Sequence, residues 1–284
     1  MLQHLAGIAT SGKLMSASFD LNELIPRWQS SLLTTWRSWM CTQTKQTLQQ
    51  VQQGLPHSKL GGMSNAMSLR SAPAFGFYES EEDVVRFAKV AMFTHRESTA
   101  HMGAEFFSRV TYRIIHESLS PRQAIEQVAA LPSTPEFVRT KVAQGLAKAD
   151  EAMDPASALS KEEFADDLAL TSMARLWDVG KTEPIKVGKA SPTEGTLPGA
   201  VYFIAKYEND FMSAVRMNAE VGGDTASRSV AIGMVMGAAQ GLEGIPASLG
   251  KGNLVEWEAA EKLLDQLPLI KDAQVSRKTS GEEL

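Results

Sequence analysis

The chain has 284 residues, 43% hydrophobic and 21% charged, and its 33 acidic against 28 basic side chains give a formal charge of −5 and a pI of about 5.6. That balance argues against a nucleic-acid platform, which carries a basic patch and a high pI. A mean hydropathy of −0.16, with no apolar run near ~18 residues, argues against a membrane span. The lone Cys41 excludes an internal disulfide framework and a Cys-rich zinc site, and MLQHLAGIATSGK lacks a basic-then-apolar leader, so a reducing, cytoplasmic compartment is expected.

In chain order, Trp28, Leu32, Trp36, Trp39 and Met40 recur at helical spacing and predict an amphipathic helix over 26–53, ended by Gly54-Leu55-Pro56. Val84, Ala88, Ala91 and Met92 predict a helix from Glu82 to about Phe93. Phe106, Phe107, Val110 and Ile114 predict another from Ala100 to about Glu117. Ser120-Pro121-Arg122-Gln123 reads as a capping box with proline at the first helical position, and Thr134-Pro135-Glu136 opens a helix in the same manner. Ser160 to Glu163 is a third box. The following Asp166-Asp167 belongs to a solvated acidic helix face. Residues 180–198 read as a loop. Val201 to Ile204 is the one compact β-type run, but it reads as part of a helix over 199–208; Asp210 precedes another over 211–220. The polar tail from 269 to 284 is expected to be disordered. The fold class is all-α: a compact multi-helix single domain spanning residues 1–268.

Two Gly-rich loops carry chemistry. In Gly61-Gly62-Met63-Ser64-Asn65 and onward to Pro73, the glycines let the backbone turn closely. Ser64 and Asn65 would begin a helix, whose free N–H groups suit an anion. Arg70 adds a forked cation for phosphate or carboxylate. The ordinary alternative is a capped Gly-Gly turn. In the second loop, Asn218 to Arg228, Asp224 stands at the mouth of a helix that is almost wholly small or apolar. Gly233 and Gly237, four apart, predict close packing of that helix at the centre of the fold, and Met234 and Met236 read as core filling. Asp224 is either an N-cap or, with the Thr225 and Ser227 hydroxyls, a ligand for a hard cation such as Mg²⁺. Cys41 reads as a buried structural thiol. His101 and His116 show no metal-binding spacing, and no Gly-x-Ser-x-Gly elbow occurs.

These two loops, in this order, resemble the ADP-ribosylglycohydrolase family, all-helical hydrolases that also include the J-type lens crystallins of jellyfish and related selenoproteins. Asn65, Leu69, Arg70 and Pro73 are similar to the family's Asn-Gly-x-x-Met-Arg-x-x-Pro segment, with Ala66 where glycine is usual. Thr94-His95 resembles its Thr-His pair. Gly222-Gly223-Asp224-Thr225, with Gly244-Ile245-Pro246 beyond it, resembles the late Gly-Asp-Thr-Asp-Thr segment and its Gly-Ile-Pro ending. Pro198-Gly199-Ala200 and the wording from Asp224 to Arg228 are closer to the crystallin-like branch. The resemblance covers roughly 55–265, and against it the chain reads as shortened at the N-terminus.

The resemblance implies a pair of Mg²⁺ ions that position a water and the ribose of ADP-ribose. Here Ala226 stands at the second aspartate, Ser227 at the threonine, and the early Asp-Asp-Thr segment is missing. One retained carboxylate does not offset the +4 of two dications at ~4 Å. The resemblance therefore implies an impaired or lost hydrolase. It retains an ADP-ribose-like ligand at Ser64, Asn65, Arg70 and His95, and at most one weakly held Mg²⁺ at Asp224 and Ser227. Two alternatives stay open: an active Mg²⁺-dependent hydrolase that removes ADP-ribose, and a structural crystallin-like protein without ligand. For His95 the alternative is a hydrogen-bonded helix-end histidine. No nucleic-acid or membrane partner is expected.

Overall fold

The computed structural model describes residues 1–10, 20–34, 39–157, 191–249 and 251–280. Among them the chain is all-α, with twelve α-helices, short 3₁₀ turns and no strand. The expected box at Ser160, the Asp166-Asp167 pair and Trp36 lie outside the described residues. The chain divides into two compact units, the first made of Met1–Met63, Arg70–Arg96 and Gly250–Leu284, the second of Ser64–Leu69 and Glu97–Leu249.

The first unit holds α1 (Leu2–Thr10), α2 (Leu21–Thr34), α3 (Thr42–Gln52), α4 (Glu81–Val90), and, beyond the second unit's segment, α11 (Trp257–Leu264) and α12 (Pro268–Ser280). The single helix expected over 26–53 is two. α2 begins earlier, where Asp20 Oδ1 accepts from the Asn22 N–H at 2.8 Å, and it carries Pro26 inside, which offers no N–H to the carbonyl one turn back. α3 begins at Thr42 with Cys41 as N-cap, so the tryptophan spacing joins two elements: Trp28 meets Phe93 edge-on at 5.1 Å, whereas Trp39 is 79% exposed. Leu24, Ile25, Leu60 and Phe93 form a core packed by Met1, Leu21, Trp28, Val51 and Leu55. The tail expected to be disordered is helical as far as Ser280. Its entry is anchored by apolar contact: Leu267 is fully buried, and the Leu267 and Ile270 side chains close on Gly76 in the turn Ala72–Gly76.

The second unit holds α5 (Ser98–Glu117), α6 (Pro121–Ala130), α7 (Glu136–Met153), α8 (Thr193–Lys206), α9 (Phe211–Glu220) and α10 (Thr225–Gln240). The Ser120 capping box forms as expected, the hydroxyl accepting from the Gln123 N–H at 3.3 Å and the Gln123 side chain accepting from the Ser120 N–H at 3.0 Å. At α7 the N-cap is Pro135 itself, and the Thr134 hydroxyl donates instead to Val128 O.

The expected loop 180–198 is corrected from Thr193 on: α8 starts there, six residues ahead of the expected start at 199. All of α8 but Glu194 and Lys206 is buried, as a helix apolar on every side must be. It is therefore the central helix of this unit. α7 lies close along it, at a spacing only glycine permits: a Cβ on Gly145 would sit 2.6 Å from Pro198 O and 2.9 Å from Val201. The close packing expected at Gly233 and Gly237 is absent, since a Cβ at either meets nothing within 4 Å. α10 buries Arg228, Ala231, Ile232, Val235 and Met236 against α5, α8 and α9 and turns the glycine side outward, with Met234 partly exposed.

Candidate functional site

The first Gly-rich segment opens no helix at Ser64; it has no regular secondary structure until the turn Ala72–Gly76, eight residues on. Its glycines permit close approach to the chain's own atoms. Gly61 has φ +89°, and a Cβ there would sit 2.6 Å from Phe93 O. Gly62 donates its N–H to Thr94 O at 3.1 Å and accepts from the Arg96 N–H at 2.9 Å, while its α-carbon lies against the Gln43 amide. Cys41, expected to be buried, is half-exposed, and its sulfur accepts from the Thr44 N–H at 3.4 Å as the cap of α3.

Beyond Met63 the segment belongs to the second unit. The Ser64 hydroxyl accepts from the Ala66 N–H at 3.2 Å. Asn65 is tied to the start of α8. Its carbonyl accepts from the Thr193 N–H at 2.9 Å and hydroxyl at 2.6 Å, and its amide donates to Glu194 at 2.8 and 3.1 Å. Glu194 and Thr193 were hidden inside the expected loop. The wording Ser191-Pro192-Thr193-Glu194 is similar to the Ser-Pro-x-Gln start of α6 and is the one local signal for a helix start here, although Pro192 is the N-cap and no side chain caps α8.

Arg70 and His95, in the first unit, meet through a third residue. Arg70 donates to Ala91 O and to the Thr94 hydroxyl, both at 2.8 Å, with its guanidinium carbon 6.0 Å from the centre of the Phe93 ring. Burial lowers its pKa to about 10 against a smaller opposing effect of Cys41. Thr94 is fully buried and His95 is 4% exposed; the Thr94 hydroxyl lies 2.9 Å from His95 Nδ1. His95 follows the turn after α4 and pairs with Gly62 through an isolated bridge, so it stands past a helix end, not in a helix. His116 stacks on Tyr112 with ring centres 4.1 Å apart.

The second Gly-rich loop does open a helix. Gly222 and Gly223 both take positive φ, 72° and 69°, and turn the chain from α9 into α10. Asp224 is the N-cap: its carboxylate accepts from the Ser227 N–H at 3.0 Å and the Ser227 hydroxyl at 2.9 Å. Behind it lies a buried knot to which the sequence reading gave no role. Arg228, 1% exposed, donates to Asn218 Oδ1 and to Gly222 O, each at 2.6 Å. Asn218, fully buried, donates on to the Ser229 hydroxyl at 2.8 Å and Thr225 O at 3.1 Å. Burial lowers the Arg228 pKa to about 10, and the Asp224 charge works in the other direction.

The structure thus joins Ser64 and Asn65 to the start of α8, Arg70 to His95 through Thr94, and Asp224 to Ser227. Among the described residues, no three His, Cys, Asp or Glu side chains converge as a metal-binding group. Both Asp224 oxygens are engaged by Ser227, and Ala226 beside them is exposed and apolar. That donor set does not fit a two-ion centre. No described helix is long and apolar enough to cross a membrane. A family model described as ADP-ribosylglycohydrolase matches residues 2–278, which takes in the segment before residue 55 as well. A comparison with curated proteins finds no match.

Proposed function

Because the chain belongs to the ADP-ribosylglycohydrolase family, as the match over residues 2–278 shows, we propose that it is a catalytically impaired member of the crystallin-like branch. In this reading it retains an ADP-ribose-like ligand through Ser64, Asn65, Arg70 and His95, and a single Mg²⁺ at Asp224 and Ser227. The observation that carries the reading stands at the mouth of α10. Asp224 is present and held in place, while the exposed Ala226 presents a methyl group where the family motif carries a second carboxylate.

Charge decides between one ion and two. Two dications ~4 Å apart repel by four times the energy of a unit-charge pair, roughly 16 kcal/mol at an effective dielectric constant near 20. A single carboxylate does not offset that. One hard cation is a different case. Asp224 would offer it a carboxylate and Ser227 a hydroxyl, the hard oxygen donors that Mg²⁺ takes.

The test is calorimetry and thermal shift with ADP-ribose, with and without Mg²⁺, beside a turnover assay on an ADP-ribosylated protein. The expected result is a rise in melting temperature with ADP-ribose, a further rise with Mg²⁺, and no release of ADP-ribose. Neither heat nor shift at millimolar ADP-ribose removes the ligand. Measured turnover removes the impairment.

A further inference from the structure

The Arg70–Thr94–His95 chain of hydrogen bonds has a fixed direction. A guanidinium offers donors only, so the Thr94 hydroxyl oxygen is the acceptor from Arg70 at 2.8 Å. The hydroxyl hydrogen then needs an acceptor of its own, because Thr94 is fully buried and an unmatched hydroxyl inside a protein is costly. Among the described residues that acceptor is His95 Nδ1, 2.9 Å away. An Nδ1 that accepts carries no hydrogen, so in the neutral ring the hydrogen sits on Nε2.

We infer that Arg70 and Thr94 are positioning residues that fix His95 as a neutral imidazole with its proton on Nε2. Arg70 acts on His95 through Thr94, with one N–H on Ala91 O and another on the Thr94 hydroxyl. His95 in turn is a hydrogen-bond donor. An Nε2–H serves an acceptor atom, which in a bound ligand is an acceptor oxygen of the phosphate or carboxylate type, and it neither ligates a metal ion through Nε2 nor takes a proton there. The carbonyl contact anchors the arrangement: Arg70 grips the turn at Ala91, His95 N–H donates to Met92 O at 2.7 Å, and the Gly62 pairing borders the ring's backbone.

That the acceptor oxygen belongs to an ADP-ribose-like ligand rests on the proposed function; the state of the ring does not. The experiment is therefore nitrogen NMR of the histidine rings in the ligand-free, full-length chain. His95 is identified by the signal lost in His95→Gln. The expected spectrum shows His95 with a bare Nδ1 and a protonated Nε2. A protonated Nδ1 in the unsubstituted chain overturns the inference whether or not any variant folds. In Thr94→Val the Nδ1–H form appears in the spectrum, and in Thr94→Ser, which restores the hydroxyl, it vanishes again. An unchanged ring state in a folded Thr94→Val chain overturns the part given to Thr94. Adding ADP-ribose afterwards reads the ligand separately: a displaced Nε2 signal supports contact at that atom. An unmoved signal in a chain that binds ADP-ribose by calorimetry overturns the contact and leaves the ring assignment standing.

Discussion

Arg228 and Asn218 depend on each other more than on anything else in the second unit. The guanidinium joins Asn218 Oδ1 to Gly222 O inside the protein, and the Asn218 amide carries the connection to Ser229 and Thr225. The two left-handed glycines at 222 and 223 contribute no side chain to hold the turn, so this knot holds it. Arg228→Met fills much the same volume but strands the buried Asn218 Oδ1 and the part-buried Gly222 O, which costs about 3 kcal/mol at 1–3 kcal/mol for each unmatched group. Asn218→Ala strands the guanidinium and costs a similar amount. Urea unfolding of both single variants and the double variant checks the coupling. The double variant loses at least about 1 kcal/mol less than the sum, because each single change already breaks the same bonds. A sum that adds within error shows the knot to be two independent contacts. None of this was legible beforehand, because Arg228 and Asn218 are ten apart with a turn between them, and only the fold makes an exposed-type residue such as arginine a buried one.

At the level of elements, glycine is where sequence and structure part company. A pair four apart on α10 suggested close helix contact, yet both face open space, while Gly145 on α7, which drew no notice, is the residue against which α8 packs. The sequence holds the spacing but not the direction each residue faces, and α10 has too few polar residues to mark its outer side. The same substitution therefore has opposite signs at the two places. Gly145→Ala drives a methyl group into Pro198 O and Val201, and overpacking of this kind costs about 1–3 kcal/mol. Gly237→Ala meets nothing and gains helix propensity, close to 1 kcal/mol. Thermal melts of the two variants show the first below the parent chain and the second above it. Matching losses would mean that α10 is packed on its glycine side. What the sequence did reveal at this scale came from local chemistry. Asp210 caps α9 by accepting from the Ser213 N–H at 2.9 Å, Ser120 forms its box, and Asp224 caps α10. The starts of α8 and α12 stayed hidden because each is decided by a contact far along the chain: Thr193 held by Asn65, and Leu267 and Ile270 by Gly76.

Over the whole molecule, a family match from residue 2 to 278 coexists with Ala226 at the position where the proposed function compares it with a second carboxylate of the family motif. The fold does not need that charge. Asp224 already caps α10, and its partner Ser227 supplies both donors. Restoring the charge is consequently a clean question to put to the protein. Ala226 is exposed in the first turn of α10, where a carboxylate meets the positive end of the helix dipole and gains about 0.3–1 kcal/mol, against repulsion from Asp224 of similar size. Ala226→Asp should therefore melt close to the parent chain when no metal is added. With Mg²⁺ the balance changes, because a dication beside a second carboxylate gains attraction that no longer competes with that repulsion. An increment of only about 1.4 kcal/mol, well below the Coulomb value for a charge pair at 4 Å, is a tenfold tightening. Calorimetric titration with Mg²⁺ should show at least that tenfold change in Ala226→Asp and lose it again in the Asp224→Asn, Ala226→Asp double variant. An affinity that does not move on adding the carboxylate removes the mouth of α10 from the list of cation sites and leaves Asp224 with the one task its hydrogen bonds display, that of starting a helix.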